Sequence, residues 1–298
     1  MNPAIKIQAD KREIYMDLAT IIGLIFAVAC IILALALVHA NFASYWSLDA
    51  LLIVFGGTTG AALAGVTMKH GIGAIRSIID CIKPPKIEWE STIKRFTDLA
   101  TIARRDGVIF LQNRIQDQGN DLIKSGLQLI VDGADSDILF MVIGTKIQLK
   151  KQEEKVSTDL FTEMGAYAPG FGLLGTVCGL VMVLGNLSEP EKLGAGIAQA
   201  FLTTLYGISL SNLVFMPLSV KIRHNNAEKS KFYEMILTGL QSILEGDNPL
   251  LMEEKLKAFL PPAEEKKTLS TGKDKKFKKV TKDGKAKYEK EISTEAAR

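Results

Sequence analysis

The sequence lacks the side-chain groupings on which most catalytic and metal sites depend. Its three cysteines, Cys30, Cys81 and Cys178, stand far apart, so neither a disulfide framework nor a cysteine metal site is expected. The three histidines are equally scattered, and no Ser/His/Asp set, phosphate-binding loop or metal-binding cluster is recognisable. We therefore predict that the chain is not an enzyme and binds neither a cofactor nor a metal.

Charge is nearly absent from four long segments, although 47% of the chain is hydrophobic and 23% is charged. Such segregation of apolar and charged residues is typical of a membrane protein with a soluble part. As an α-helix, about 20 apolar residues cross the ~30 Å of hydrocarbon in a bilayer. The pattern predicts an all-α membrane protein with four transmembrane helices and a helical cytoplasmic domain. The apolar segments are residues 18–38, 48–68, 165–187 and 197–220.

Basic residues flank these segments unevenly. They precede the first segment and follow the second and fourth, whereas the two short links between segments contain a single lysine. The positive-inside tendency therefore places both termini and the long middle segment in the cytoplasm. The predicted division is 1–16 cytoplasmic, 17–68 transmembrane helices 1 and 2, 69–164 cytoplasmic helical domain, 165–221 transmembrane helices 3 and 4, 222–262 cytoplasmic helices, and 263–298 a basic tail.

The tail, residues 263–298, carries a net charge of +5 and a composition typical of disorder. Lysines near a cytoplasmic membrane face suit anionic lipid or solubility. We predict no nucleic-acid binding, because the basic run has few aromatic residues and no fold around it.

No carboxylate lies within the last two apolar segments, 165–187 and 197–220, which a nine-residue link joins into a helical hairpin. An ion crossing this hairpin would therefore find no protonatable carrier in it. The absence predicts that any carrier belongs to another chain.

The polar atoms of the hairpin are mainly hydroxyls. At helical spacing Thr176 shares a face with glycines, and Thr204 shares a face with Ser211, with Thr203 beside it. Facing each other, these hydroxyls would line a path for a dehydrated cation or a file of water. Alternatively, each bonds the carbonyl four residues earlier in its own helix, and the spacing alone favours neither interpretation.

Small residues recur every four positions in the second and third apolar segments, which predicts close helix packing. Packing within one subunit is the simpler interpretation, and contacts between subunits are the alternative. The repeats are Gly56, Gly60 and Ala64, then Gly57, Ala61 and Gly65, then Gly175 and Gly179.

Two prolines, Pro169 and Pro217, lie in the hairpin toward the predicted cytoplasmic side. We place Pro169 in the first turn of the third transmembrane helix and Pro217 near the last turn of the fourth. A proline bends a helix, so the pair would form a joint between the membrane and the cytoplasmic domain. Ordinary helix ends are the alternative. In the cytoplasmic segment, Arg104 and Arg105 form either a solvated charge cluster or a steering site for a charged protein.

Five stretches resemble one family, the stator A subunits of the flagellar motor, MotA and PomA. The similarity covers residues 17–260, and the hairpin is its most specific part. The stretches are LLIVFGGT at 51–58, ARRDG at 103–107, LIVDGADSD at 129–137, GAYAPGFGLLGTVCGLVMVLGNL at 165–187 and FLTTLYGISLSNLVFMPLSVKI at 201–222.

The resemblance implies an ion-driven torque generator in the bacterial inner membrane. In that family a homo-oligomer, described as a pentamer, surrounds a dimer of a one-span B subunit (MotB or PomB), whose aspartate carries the ion. The resemblance also implies that Pro169 and Pro217 couple ion passage to cytoplasmic movement, and that Arg104 and Arg105 engage the rotor protein FliG. One departure is Gln112, where the family has an acidic residue. Either Asp106 or Asp117 substitutes for that acid, or this motor depends less on the contact.

The transported ion is predicted to be Na+, with H+ as the alternative. Sodium-type members resemble this chain in having paired threonines where Thr203 and Thr204 stand. Threonine oxygens at these positions and at Thr176 can replace water around a hard cation. Competing interpretations are an ExbB/TolQ-like energiser, which usually has three spans with the large segment after the first, a stand-alone channel or transporter, and a passive scaffold.

Overall fold

The computed structural model describes residues 22–39, 41–82 and 87–261, and every regular element within these ranges is helical. Two π-helical turns, Leu52–Gly56 and Leu210–Phe215, connect α2 to α3 and α8 to α9. The predicted all-helical fold is confirmed for these residues. The α-helices are α1 (Ile22–Leu37), α2 (Leu48–Leu51), α3 (Gly57–Ala64), α4 (Met68–Ile82), α5 (Trp89–Asp106), α6 (Asp121–Val131), α7 (Ser136–Gly185), α8 (Pro190–Ser209), α9 (Met216–Leu244) and α10 (Pro249–Lys257).

Three helical stretches are long and apolar enough to cross a membrane: Phe42–Ala64, Ser136–Gly185 and Leu193–Leu244. They contain most of the second predicted transmembrane segment, nearly all of the third and all of the fourth. In the first predicted segment, α1 is a shorter apolar helix, and residues 18–21 lie outside the described residues. The segments 1–16 and 263–298 also lie outside them, so the count of four transmembrane helices stays a prediction.

The long helices do not end where the hydropathy changes. We expected a transmembrane helix beginning at Gly165, but α7 begins at Ser136 and runs for 50 residues. Pro169 therefore lies deep inside α7, and the predicted position in a first turn is wrong. The reason is local: between Ser136 and Gly165 the sequence contains no proline and a single glycine, Gly144, so no strong helix breaker stops the helix.

The described residues divide into two compact units. One takes its residues from Met1–Pro85 and Lys150–Glu228, and the other from Lys86–Leu149 and Lys229–Arg298. In the first unit, large apolar side chains such as Leu173 and Phe201 are 63% and 71% exposed, as expected for surfaces that face lipid. Its interior is a small cluster comprising Ala62, Ala74, Cys81, Leu160, Phe161, Met164, Ala168, Phe215 and Ile222.

The second unit has a conventional apolar core. Phe96 and Ile130 are almost fully buried within it. Close packing also requires two glycines: a side chain at Gly126 would collide with Leu240, and one at Gly239 would collide with Phe96. The core therefore joins α5 and α6 to the last turns of α9.

Helix ends in this unit carry the usual capping residues. Asp135 accepts a hydrogen bond from the backbone N–H of Ile138 (2.7 Å) at the start of α7. Gly246, with φ +72°, follows the end of α9 as a left-handed residue. Asn248 caps α10 by accepting from the N–H of Leu250 (3.0 Å). These ends were predictable because capping depends on neighbours in sequence.

Candidate functional site

Helices α7 and α8 approach so closely that their backbones touch. A Cβ atom at Gly172 would lie 2.9 Å from the carbonyl oxygen of Thr203, and one at Gly207 would lie 2.6 Å from that of Ala168. Side chains are thus excluded along this line of contact, which we call the α7–α8 seam. The predicted faces meet here, with Gly179 against Ala200. Packing within one chain is therefore the correct interpretation for the small residues of α7.

The repeat in the second apolar segment is different. Neither Gly56 nor Gly60 has an atom within 4 Å of an added Cβ among the described residues. Gly57, on the neighbouring face, is enclosed by the ring of Phe171. Only one of the two small-residue faces of this segment is therefore packed within the described residues.

Thr176 lies at the centre of the seam and is partly buried. Its hydroxyl is 3.1 Å from the carbonyl oxygen of Gly172 in its own helix and 3.0 Å from that of Ala200 in α8. It also contacts the hydroxyl of Thr204 across the seam. The two interpretations of the hydroxyls are therefore not exclusive, because Thr176 bonds its own helix and meets a second hydroxyl as well.

The other two predicted hydroxyls, those of Thr203 and Ser211, are more deeply buried. Thr203 is fully buried, donates to the carbonyl oxygen of Ala200 (2.8 Å) and would be the neighbour of any side chain at Gly175. Ser211 is 5% exposed and donates to the carbonyl oxygen of Gly165 (2.6 Å). The structure thus brings Thr176 and Thr204 together, while Thr203 and Ser211 each bond a backbone carbonyl.

The two prolines differ in their surroundings. Pro169 is exposed on the side of α7, whereas Pro217 is partly buried and is the second residue of α9. The π-helical turn Leu210–Phe215 ends two residues before Pro217. A proline ring clashes with the carbonyl four residues earlier in α-helical geometry, and a wider π turn relieves that clash. The fourth predicted segment therefore continues as one helix through its proline.

Sequence reasoning missed a set of hydrogen bonds at the other end of the hairpin. The hydroxyl of Tyr206 donates to the carbonyl oxygen of Tyr45 (2.6 Å) and accepts from the N–H of Ser47 (3.0 Å). The hydroxyl of Ser47 donates to the side chain of Gln199 (2.8 Å). A phenol in an apolar segment needs such a partner, and that was the available signal.

A second missed feature is a row of hydrogen bonds between α7 and α9. The hydroxyls of Thr162 and Ser219 are 2.6 Å apart, and Ser219 is almost fully buried. Farther along, the side chain of Asn226 donates to the carbonyl oxygen of Glu154 (2.9 Å) and to the hydroxyl of Thr158 (3.3 Å). These contacts fix the register of the two helices within the first unit.

The predicted rotor-binding arginines lie at the end of α5 in the second unit, and both are exposed. Arg105 donates two hydrogen bonds to Asp106 (2.9 and 2.8 Å). This pairing lowers the pKa of Asp106 and raises that of Arg105. No described residue pairs with Arg104, so it carries the uncompensated charge of the pair.

Apolar side chains follow this charged end of α5. Ile109 and Phe110 are 73% and 56% exposed, and Gln112 is exposed in the same 3-10 helix, Val108–Arg114. Both acids proposed to replace the missing family acid already have arginine partners. Asp106 is held by Arg105, and Asp117 lies 3.9 Å from the guanidinium of Arg114.

The comparisons with known proteins agree with this arrangement. Residues 114–235 match the model of the MotA/TolQ/ExbB proton channel family. Motility protein A of Borreliella burgdorferi is 32% identical over 251 residues, which cover 83% of this chain and 95% of that protein. Chemotaxis protein PomA of Vibrio alginolyticus is 32% identical over 245 residues, 82% of this chain and 96% of that protein. This chain belongs to the MotA/PomA family.

Two solved structures support the MotA/PomA assignment through the fold. The MotAB structure of C. jejuni matches with a TM-score of 0.75 at 28% identity, over 83% of this chain and 96% of that one. The flagellar MotAB stator complex from Bacillus subtilis matches with a TM-score of 0.72 at 28% identity, over 83% and 98%. Membership of the MotA/PomA family, a family of ion-channel components, also confirms that the chain is not an enzyme.

Proposed function

We propose that the chain is the A subunit of a flagellar stator, which forms an ion channel with a B subunit and converts ion-motive force into torque. The observation that carries this proposal is the hairpin α7–α8, whose seam bears hydroxyls while residues 165–187 and 197–220 contain no carboxylate. An ion path needs a carrier, so the carboxylate belongs to a partner chain. The match to a chain in each of two MotAB structures supports the same partner.

The decisive experiment is purification of the full-length chain from its own membrane. We expect a one-span B subunit with an intramembrane aspartate, of the MotB or PomB type, to co-purify as a dimer with a ring of A subunits, a pentamer. Native mass spectrometry of the detergent-solubilised complex gives both counts. Recovery of the chain without such a partner would remove the proposal.

The ion path is proposed to run beside Thr176 and Thr204, with Thr203 and Ser211 behind them in the seam. The single proton of Thr176 is within reach of two backbone carbonyls, so in its contact with Thr204 the proton comes from Thr204. The lone pairs of Thr204 then have no described donor and are free to face a cation.

The transported ion is proposed to be Na+, with H+ as the alternative. Hydroxyl oxygens held by hydrogen bonds to the backbone are fixed ligands for a hard cation, whereas proton transfer needs a titratable group. Swimming speed should fall when sodium is replaced by potassium at constant proton-motive force. An unchanged speed would favour the proton.

Pro169 and Pro217 are proposed to couple ion passage to movement. Pro169 interrupts the hydrogen bonding of α7 without ending the helix, and Pro217 follows the π turn. A helix missing one backbone bond bends more easily than its flanks. This property supports a joint in each helix and disfavours the alternative that the prolines merely end helices.

The exposed end of α5 is proposed to engage the rotor protein FliG. Arg104 supplies a charge that no described residue pairs with. Arg105 supplies a charge shared with Asp106, and exposed Ile109 and Phe110 supply apolar surface beside them. Because Asp106 and Asp117 are already paired, the contact of the family acid is proposed to matter less in this motor. The surface suits a partner with acidic and apolar side chains.

The membrane arrangement is proposed to be that of the bacterial inner membrane, with four transmembrane helices, lipid around them and both termini in the cytoplasm. The uneven basic flanks and the exposed apolar faces support it. Labelling of single cysteines introduced in the two short links, with a membrane-impermeant reagent on whole cells, should modify the links. Labelling of α5 instead would reverse the orientation.

A further inference from the structure

One carbonyl in α7 has lost its usual donor. In an α-helix each C=O accepts a hydrogen bond from the N–H four residues later, and Pro169 has no N–H. The carbonyl without a donor is therefore that of Gly165, one turn earlier inside the same 50-residue helix. Gly165 is buried, so water does not readily replace the missing donor.

Ser211 supplies the replacement. Its hydroxyl donates to the carbonyl oxygen of Gly165 at 2.6 Å, and the serine itself is 5% exposed. This distance is at the short end of the range for hydroxyl donors. The donor belongs to the π-helical turn Leu210–Phe215, which ends two residues before Pro217. The donor that Pro169 removes from the Gly165 carbonyl is thus replaced by a side chain of the π turn that accommodates Pro217.

The same junction also depends on Gly165 having no side chain. A Cβ atom there would lie 2.7 Å from the sulfur and 2.9 Å from Cγ of Met216, the residue before Pro217. The backbone N–H of Met216 in turn bonds the carbonyl oxygen of Ser211. Ser211 therefore bonds α7 through its side chain and the start of α9 through its backbone.

We propose that Ser211 is a positioning residue that links the two proline sites through the carbonyl of Gly165. The proposal rests on the proposed function, in which Pro169 and Pro217 couple ion passage to movement. Through this bond a change in bend at Pro169 alters the geometry of the π turn before Pro217, and the reverse also holds. Because Ser211 is only 5% exposed, it is poorly placed to contact a passing ion, so this role replaces ion lining for Ser211.

The bond itself is testable without rotation, by thermal unfolding of the full-length protein in detergent. Ser211→Ala should lower the apparent Tm by a few degrees, because it leaves a buried carbonyl without a donor. In a Pro169→Ala background the N–H of residue 169 is restored, so the same Ser211→Ala change should lower Tm much less. Equal shifts in the two backgrounds would overturn the link.

Torque measurements test the positioning role. In a tethered-bead assay in which stators are recruited one by one, the height of each speed step measures torque per unit and the number of steps measures assembly. Ser211→Ala should halve the step height or reduce it further, with the number of steps and the half-saturating ion concentration unchanged. Ser211→Thr, which keeps the hydroxyl, should restore most of the height. Ser209→Ala is the matched control, since the Ser209 hydroxyl has no described partner.

Each remaining outcome rejects the proposal. Fewer steps of normal height would mean a structural role only, and a shifted half-saturating ion concentration would return Ser211 to the ion path. Normal steps would mean no role in torque. If the unsubstituted chain drives no rotation, the proposed function fails. The comparison of the Tm shifts in the two backgrounds still decides whether Ser211 donates to the carbonyl that Pro169 leaves without a donor.

Discussion

The close approach in the α7–α8 seam makes Gly207→Ala the sharpest test of the structure. The added Cβ would lie 2.6 Å from the carbonyl oxygen of Ala168 and 3.0 Å from Cα of Gly172. Both are backbone atoms, which cannot rotate away as the end of a side chain can. Because ordinary contact begins at 3.4 Å, the helices would have to separate by about 0.8 Å here.

A separation of this size would also break the hydrogen bonding across the seam. The distance from the hydroxyl of Thr176 to the carbonyl oxygen of Ala200, now 3.0 Å, would become about 3.8 Å, which is too long for a hydrogen bond. Overpacking of this kind costs about 1–3 kcal/mol, which corresponds to a fall in apparent Tm of roughly 2–12 °C for a chain of this size. The loss would appear in both stability and ion transport.

Thermal unfolding of the purified full-length protein measures the fall, and Gly194→Ala provides the matched control. Gly194 lies in the same helix with nothing within 4 Å of an added Cβ. Alanine there should be neutral or stabilising by about 0.5–1 kcal/mol, because it favours the helix over glycine. An apparent Tm for Gly207→Ala equal to or above that of Gly194→Ala would refute the close approach of the two backbones.

Three further predictions follow from the proposed function. Asp106→Asn should free Arg105 and strengthen binding of purified FliG roughly two- to five-fold at low salt, whereas Asp98→Asn in the same helix should change the binding little. Because the pKa of Asp106 is lowered, the Arg105–Asp106 ion pair should persist until the pH falls through that lowered pKa. Pro217→Ala should leave co-purification with the B subunit intact but abolish rotation, and normal motility would contradict the coupling role. Thr204→Val should raise the sodium concentration for half-maximal swimming speed about tenfold, and an unchanged value would remove Thr204 from the ion path.

The helix faces were predictable because helical periodicity is a local property of the sequence. Glycines and hydroxyls recurring at the helical repeat had to share a face, and the structure places Gly172 against Gly207 and Gly179 against Ala200. The partner face was predictable too, because a short link forces adjacent antiparallel helices. The degree of burial within the seam was not predictable, because the adjacent threonines differ: Thr204 is partly buried and Thr203 is fully buried.

The partners in long-range polar contacts could not be predicted from the sequence. Tyr206 bonds residues 159 and 161 positions away, and Thr162 bonds a serine 57 positions away. Nothing in the composition of either stretch identifies the partner, since many hydroxyls and carbonyls compete. The continuity of α7 across the predicted membrane boundary was missed for a different reason: hydropathy reports the surroundings of a helix, whereas only breakers and caps report where it ends.

Gly165 shows which part of a contact the sequence specifies and which part only the tertiary structure specifies. The sequence alone specifies that Pro169 deprives one carbonyl of its donor, and the helical repeat identifies that carbonyl as belonging to Gly165. It does not specify whether water, a neighbouring helix or nothing fills the vacancy. The tertiary structure fills it with Ser211, because the missing side chain of Gly165 lets Met216 and the π turn come close enough for a hydroxyl to reach. A proline inside a membrane helix is therefore informative chiefly through the residue four positions before it, whose carbonyl must find another donor.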